Sequence, residues 1–454
     1  MIAPARIAAY EVLTAVSARR ADLPDALASA RTNLRDDRDK ALAAEIALGV
    51  QRSRAALDHA IAHVARRPIS RLDDEVVEIL RLSAYQLLHL TRVPAAAIVD
   101  DAVNLAGRAG KRSASGLVNA VLRAISRNRR SLGLPQPPVD TADRERALDY
   151  LSITLSHPRW LTARWLDRYG FEATERWLRF NNQPAPLTLR ANRIRGTRDD
   201  LILQLDKDGV HVRTTRFAPD GLVVEEGQPL GGNVADQGWF FIQDEASQLV
   251  SLLAGSDPGR RVLDACASPG GKTTAMAALM KETDRLIACD VRDRRIDLLR
   301  RTVAASGARN VRLVQADLLG PLPLTRIFDC VLVDAPCSGL GTLRRDPDIR
   351  WRREERELET FAASQLEMLR QAAEVVAPGG RLIYATCSSE PEEDESVVER
   401  FLAASPEFVA ADFRQMSTLV PAEVVDTRGH LRTYPHVHEL EAFFGAIFVR
   451  SHGG

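Results

Sequence analysis

From residue 260 onward the chain alternates short apolar runs of β character with helical stretches: RVLDAC, RLIACD, VRLVQAD, DCVLVDAP, GRLIYATCS and finally FFGAIFVR. This alternation predicts a parallel, doubly wound sheet with helices on both faces. Ligands of such sheets bind outside the carboxyl ends of the strands. Asp or Cys stands at or beside the end of most of these runs, so the chemistry is sought at those ends.

A chain of 454 residues, 45% hydrophobic and 27% charged, has the composition of a soluble globular protein and room for about three domains. No run approaches the roughly 18 apolar residues of a membrane span. The opening MIAPARIAAYEVL carries charge inside its apolar stretch and no small-residue cleavage site, so no secretory signal is expected. The five cysteines never fall at C-x-x-C spacing and all lie after residue 260. A disulfide framework and a structural zinc are therefore not expected, and a metal-free cytoplasmic protein, acting as a monomer, is. The formal charge of zero argues against a nucleic-acid partner until it is sorted by segment. Residues 1–135 carry a net +7, residues 136–386 are neutral, and residues 387–454 carry −7. Only five of the 61 basic residues are lysine, and arginine forks suit phosphate.

The architecture expected is multidomain. Residues 1–130 read as an all-α bundle with helices over 4–19, 37–51, 54–64, 73–90, 96–108 and 115–128. In the fourth, Leu72, Val76, Leu80, Ala84 and Leu87 make one apolar face. A Pro-rich linker at 131–140 opens a middle segment, 131–240, in which Trp160, Trp165 and Trp177 lie on helices as packing residues. PLTLRANRIRG reads as a strand with an Arg-bearing turn, DDLILQLDKDGV as a helix, and FAPDGLVVEEG as a hairpin or strand pair, together a small α/β module. Residues 241–454 hold the α/β sheet domain.

The first strand of that domain runs through Cys266, Ala267, Ser268, Pro269, Gly270, Gly271 and Lys272 into a helix. The two glycines let backbone amides approach a ligand. A Walker A loop would need Gly where Cys266 stands, and a G-x-G-x-x-G dinucleotide fingerprint is absent. The remaining reading is the loop of an S-adenosylmethionine-dependent methyltransferase. Asp290 closes the second strand, 19 residues after Gly271, where it can take both ribose hydroxyls; Asp317 closes the third, placed to reach the adenine amino group. Acidic strand ends in this order suit a nucleoside ligand without polyphosphate.

Asp334 and Cys337 follow the fourth strand and Cys387 the fifth. Cys289 and Cys330 sit within strands as small core residues. Cys337 and Cys387, just past strand ends and flanked by Pro or Ser/Thr, are candidate reactive thiols. DACASPGGKTT, DAPCSGLGTLRRDPDIRW and YATCSSEPEEDE together resemble the RNA cytosine-5 methyltransferases of the Sun/Nop type. ARIAAYEVL, EIALGVQRSRAALDHAIAH, EILRLSAYQLLHLTRVP and GLVNAVLRAI resemble the RNA-binding fold of NusB. The pair points to the branch acting on small-subunit (16S) ribosomal RNA. The resemblance implies a class I, Rossmann-like catalytic domain with a mostly parallel sheet. It implies Cys387 as nucleophile toward cytosine, Cys337 as the aid to product release, and Cys266 through Lys272 with Asp290, Asp317 and Asp334 lining the donor site. Asp334 and Lys272 are expected beside the reacting base.

RRDPDIRWRREER follows the Cys337 motif directly, and Arg344, Arg345, Arg350 and Arg352 are assigned to RNA backbone contact. Two stretches depart from the family pattern: Ser268 stands where Ala is common, and Leu440, Glu441 and Ala442 replace an Asp-Gly ahead of Phe443–Phe444. Transfer RNA as substrate, or a non-catalytic RNA-binding assembly factor, are the alternative readings; intact Cys337, Cys387 and Asp334 weigh against the second.

Overall fold

The computed structural model describes residues 2–129, 131–254, 259–416 and 419–452. Arg130, where the first domain was expected to end, lies outside them. The chain packs as two units: Met1–Pro184 with Leu343–Arg353, and Ala185–Thr342 with Glu354–Gly454.

The first unit is helical. It opens with α1 (Pro4–Ser17), α2 (Leu23–Thr32), α3 (Asp37–Ala65), α4 (Asp74–His89), α5 (Ala95–Arg108) and α6 (Ser115–Arg127). On α4 the expected face, Val76, Leu80, Ala84 and Leu87, is buried, while Leu72 lies ahead of the helix. Two expectations change. α2 was not foreseen; it starts where Asp22 accepts a hydrogen bond from Asp25 N at 2.9 Å, with Pro24 in its first turn. α3 runs unbroken through residues 52–53, because Gln51 and Arg52 are buried rather than at a turn. Beyond the linker, helices Arg159–Tyr169 and Phe171–Asn182 bury Trp165 against Trp177, ring centroids 4.5 Å apart.

Leu343–Arg353 belongs to this unit, and it overturns one assignment. Arg350 is 0% exposed. Its guanidinium donates to Ser156 O (3.1 Å), Asn182 Oδ1 (2.8 Å), Asn181 O (3.2 Å) and Leu343 O (3.2 Å), and burial pushes its pKa down to about 9. A guanidinium enclosed in this way cannot reach an RNA phosphate. Around it Trp351 Nε1 donates to Gln51 O at 2.8 Å, and Leu23 N donates to Asp348 Oδ2 at 3.3 Å. The segment thus packs against α2, α3 and the helices carrying the tryptophans.

The second unit holds two sheets. Strands β1 (Thr188–Ala191), β2 (His211–Thr214), β3 (Gly221–Glu226) and β4 (Phe240–Ile242) form an antiparallel sheet of order β2-β3-β1-β4. The helix Arg198–Lys207, started by a Thr197–Asp200 capping box, packs Leu201 and Leu205 onto Leu189 and Leu222. The stretch expected as a hairpin supplies β3 alone; its partners are β2 and β1.

The large sheet contains β5 (Arg261–Asp264), β6 (Arg285–Asp290), β7 (Val311–Gln315), β8 (Phe328–Asp334), β9 (Val376–Thr386), β10 (Phe408–Ala411), β11 (Leu431–Arg432) and β12 (Phe444–Arg450). Its order is β10-β12-β9-β8-β5-β6-β7, with β11 beside β12. Strands β5 to β9 run parallel, as the alternation predicts. β12, from the FFGAIFVR run, is antiparallel to both β9 and β10. An antiparallel neighbour needs no helical crossover. Leu263, Val331, Tyr384, Phe444 and Phe448 fill one face of the core. Strand order reverses between the neighbours β5 and β8, which makes their carboxyl ends the crevice where such sheets bind ligands.

Candidate active site

β5 ends at Asp264, and the chain turns through Gly270 into the helix Gly271–Leu279. Gly270 has φ +107°, and a Cβ there would lie 2.9 Å from Leu299 Cδ1, so the turn requires glycine. Thr273 Oγ1 donates to Asp264 Oδ2 at 2.6 Å, while Asp264 Oδ1 is buried without a partner. Burial pushes the Asp264 carboxyl up to about 7, with Asp334 and Asp290 adding to it. From β1, Arg190 reaches the first turn of the helix: Nη1 donates to Gly271 O and to Gln243 Oε1 (2.6 Å), and Nη2 to Thr274 Oγ1 (2.7 Å). The small sheet therefore clamps the glycine turn of the large one.

Asp290 closes β6 and is bound into the same turn, accepting from Ser268 N at 3.2 Å and from Val291 N at 2.8 Å. β7 stops at Gln315; Asp317 lies two residues further and is exposed, accepting from Leu319 N at 2.9 Å. The Cys266 thiol is pushed well up, by burial first and then by Asp264, Asp334 and Asp290. It therefore stays protonated. Cys289 and Cys330, wholly buried in their strands, are raised by burial to about 12 and about 11.

At the end of β8, Asp334 Oδ2 accepts a hydrogen bond from Lys272 Nζ at 2.6 Å. Burial opposes the charge on Lys272, but the carboxylate of Asp334 prevails and the ammonium is held above its ordinary pKa. Its Nζ lies 5.8 Å from the ring centroid of Phe443. Just beyond, Cys337 Sγ and Cys387 Sγ are 3.0 Å apart. The contact with Cys387, and then burial, push the Cys337 thiol well up.

The two cysteine loops are also joined through the backbone. Gly341 N donates to Cys387 O at 2.9 Å, and Ala442 N donates to Gly341 O at 2.9 Å. A Cβ on Gly341 would lie 2.7 Å from Cys387 O, too close to tolerate. The segment that lacks the family's Asp-Gly is held by Thr433, whose Oγ1 donates to Glu441 O at 2.6 Å and accepts from Phe443 N at 2.9 Å, and β12 follows intact.

The sequence reading brought Lys272, Asp290, Asp334, Cys337 and Cys387 to one rim, and their contacts here are as described. It missed Asp264, Arg190 and Phe443. Asp264 carried a signal, a strand-end acid before the glycine turn; Arg190, within a run read as a strand with an Arg-bearing turn, carried none. Of the proposed RNA contacts, Arg344 stacks on Phe180 (4.4 Å) and donates to Pro184 O at 2.9 Å, and Arg352 pairs with Asp348 at 2.8 Å. Both, with Arg345, keep partial exposure, whereas Arg350 is enclosed. Among the described residues no group of three or more His, Cys, Asp or Glu is arranged to hold a metal ion, and no helix is long and apolar enough to cross a membrane.

Comparison with known proteins matches residues 251–449 to the family described as 16S rRNA methyltransferase RsmB/F. Residues 3–127 match the NusB family, and residues 157–231 the ferredoxin-like domain of RsmF/B-like methyltransferases. A probable ribosomal RNA small subunit methyltransferase B of Bacillus subtilis (strain 168) is 32% identical over 419 residues, covering 91% of each chain. The ribosomal RNA small subunit methyltransferase B of Pseudomonas putida is 33% identical over 406 residues, 88% of this chain and 89% of that one. The crystal structure of PH0851 superposes with a TM-score of 0.80 at 25% identity over 99% of both chains. Sequence identity of this extent, over a chain that carries all three domain signatures in order, shows that the protein belongs to the RsmB/F family of 16S rRNA methyltransferases.

Proposed function

We propose that the protein methylates carbon-5 of a cytosine in 16S ribosomal RNA, through a covalent bond between Cys387 and the base. The observation that carries this reading is the 3.0 Å Sγ–Sγ pair beside the Lys272–Asp334 ion pair, at the strand ends where the sheet reverses. The relatives' names favour ribosomal over transfer RNA.

The methyl donor would be held by the glycine turn from Cys266 to Lys272, with Asp290 toward the ribose and Asp317 toward the adenine. The rim fits such a ligand: Gly270 leaves backbone where a side chain would intrude, and Asp264 Oδ1 is a buried polar atom without a partner. S-adenosylmethionine supplies an electrophilic methyl group on a sulfonium when bound.

Carbon-5 of cytosine is a poor nucleophile. Addition of the Cys387 thiolate to carbon-6 forms an S–C bond and leaves an enamine-like carbon-5 able to take the methyl group. Either sulfur can donate in the 3.0 Å contact, and attack takes the arrangement in which Cys387 has lost its proton to solvent. Once carbon-5 is methylated, Cys337, having released its own proton to solvent, takes the carbon-5 proton as a thiolate, the carbon-5–carbon-6 double bond re-forms, and Cys387 leaves as thiolate. Asp334, steadied by Lys272, accepts from the amino edge of the base, which must be unstacked to enter. The basic N-terminal bundle, with Arg344, Arg345 and Arg352, supplies RNA backbone contact, and the protein acts as a cytoplasmic monomer.

Bisulfite sequencing of RNA from cells lacking the protein tests the reading. One cytosine of 16S RNA is expected to lose its protection from conversion. Loss confined to a transfer RNA overturns the substrate, and no loss anywhere overturns the activity.

A further inference from the structure

Each reactive cysteine is followed by a serine, and both serines bond to one buried acid. Glu393, 0% exposed, accepts hydrogen bonds from Ser338 N (2.8 Å), Ser338 Oγ, Ser388 Oγ (2.6 Å) and Gln365 Nε2 (3.0 Å). Gln365 Nε2 also donates to Pro336 O at 3.1 Å, on the other side of Cys337. Tyr384, in β9 just before the Cys387 loop, donates its hydroxyl to Glu393 O (2.6 Å) and to Gln365 Oε1 (3.0 Å). Ser338 Oγ and Ser388 Oγ are themselves 3.3 Å apart. A carboxylate in the interior is retained only where donors surround it, and here all of those named come from the two cysteine loops or from the residue that braces them.

We propose that Glu393 is a positioning residue for the methyl-transfer reaction: it ties the loop after Cys337 to the loop after Cys387 and so sets the relation of the two sulfurs through attack and release. The proposal rests on the cysteine roles given above. Ser388 transmits the position of the nucleophile, and Ser338 that of the sulfur serving release. Rigid placement matters because a thiolate must meet carbon-6 along one approach while the second thiol stays beside carbon-5, and misplacement by about an ångström costs on the order of 10²-fold in rate. The negative charge of Glu393 also raises the Cys337 thiol, which makes its thiolate the stronger base for the carbon-5 proton.

The test uses the full chain, S-adenosylmethionine and 16S RNA lacking the modification. Three variants, Glu393→Gln, Ser388→Ala and Ser338→Ala, are compared for donor affinity, single-turnover methyl transfer, and denaturation-resistant enzyme–RNA adduct. Glu393→Gln is expected to keep donor affinity within about twofold while single-turnover transfer falls at least about thirtyfold, as for a misplaced nucleophile. Ser388→Ala is expected to slow adduct formation in a Cys337→Ala background. Ser338→Ala, with both cysteines intact, is expected to accumulate adduct that wild type does not. If Glu393→Gln fails to fold, the opposite effects of the two serine variants carry the test. Wild-type transfer by Glu393→Gln, or serine variants that change only the melting temperature, overturn the proposal. Absence of adduct in Cys337→Ala alone overturns the cysteine roles instead, and Glu393 is then judged by its effect on methyl transfer.

Discussion

Cys337 Sγ lies 3.0 Å from Cys387 Sγ although 50 residues separate them, and the Gly341–Cys387 backbone bond keeps their loops in contact. Two thiols this close are readily joined by an oxidant. Treatment of the free enzyme with a diazenedicarboxamide is expected to form one disulfide, both thiols being oxidised and the oxidant taking up two hydrogens. Mass spectrometry of peptides 337 and 387 reads the link, and methyl transfer is expected to vanish and return with dithiothreitol. Full activity in the oxidised protein would contradict the roles given to both sulfurs.

Lys272 and Asp334 should behave as one unit. Lys272→Met removes the charge that steadies Asp334 beside the base, so kcat is expected to fall about 10²-fold, as for loss of one preorganised electrostatic group. Lys272→Arg is not expected to rescue, since a planar fork does not fit a point-charge contact of 2.6 Å in this enclosed place. Single-turnover kinetics with saturating donor make the measurement.

Asp264 gives a pH-dependent stability. Its native carboxyl, pushed up to about 7, holds a proton that the unfolded chain has already lost near pH 4. Its contribution is therefore complete at low pH and is lost as pH rises through about 7, a penalty of at most about 4 kcal/mol above that. Asp264→Asn is expected to melt higher than wild type at pH 8, by less at pH 5, and no higher at pH 3. Equal melting curves at all three would show that the carboxyl is not held neutral.

Arg350 separates packing from RNA contact. Arg350→Met leaves Ser156 O, Asn182 Oδ1 and Asn181 O without their donor. A loss of about 3–5 kcal/mol is expected, with the salt dependence of RNA binding unchanged. Arg345→Ala is expected to lower the slope of log affinity against log salt by about one phosphate contact. Denaturant unfolding and binding at several salt concentrations read the two apart.

Much of this was legible in the chain. The alternation after residue 260 identified the parallel strands, because apolar runs of that length bounded by turn residues are decided within a few positions. The turn from Cys266 to Lys272 and the acids at the strand ends likewise carry their chemistry in adjacent residues. The misreadings share one cause. In RRDPDIRWRREER the arginines were read as one charged surface, yet Asp348, Ile349 and Trp351 among them belong to a segment packed on α2 and α3. A mostly parallel sheet was expected, but which strand departs from parallel is set by its neighbours, for β12 by β9 and β10, not by its own residues.

Residue types, their local order and the sorting of charge between segments were thus available from the amino acids alone, and they were enough to name the chemistry and the nucleophile candidates. Tertiary packing decided which of the 61 basic groups are buried, that Arg190 clamps the glycine turn, and that one acid bonds to the serines after both cysteines. The physical reason is range. Periodicity and turn chemistry act over a few residues, whereas desolvation and hydrogen-bond pairing depend on groups brought together from distant parts of the chain.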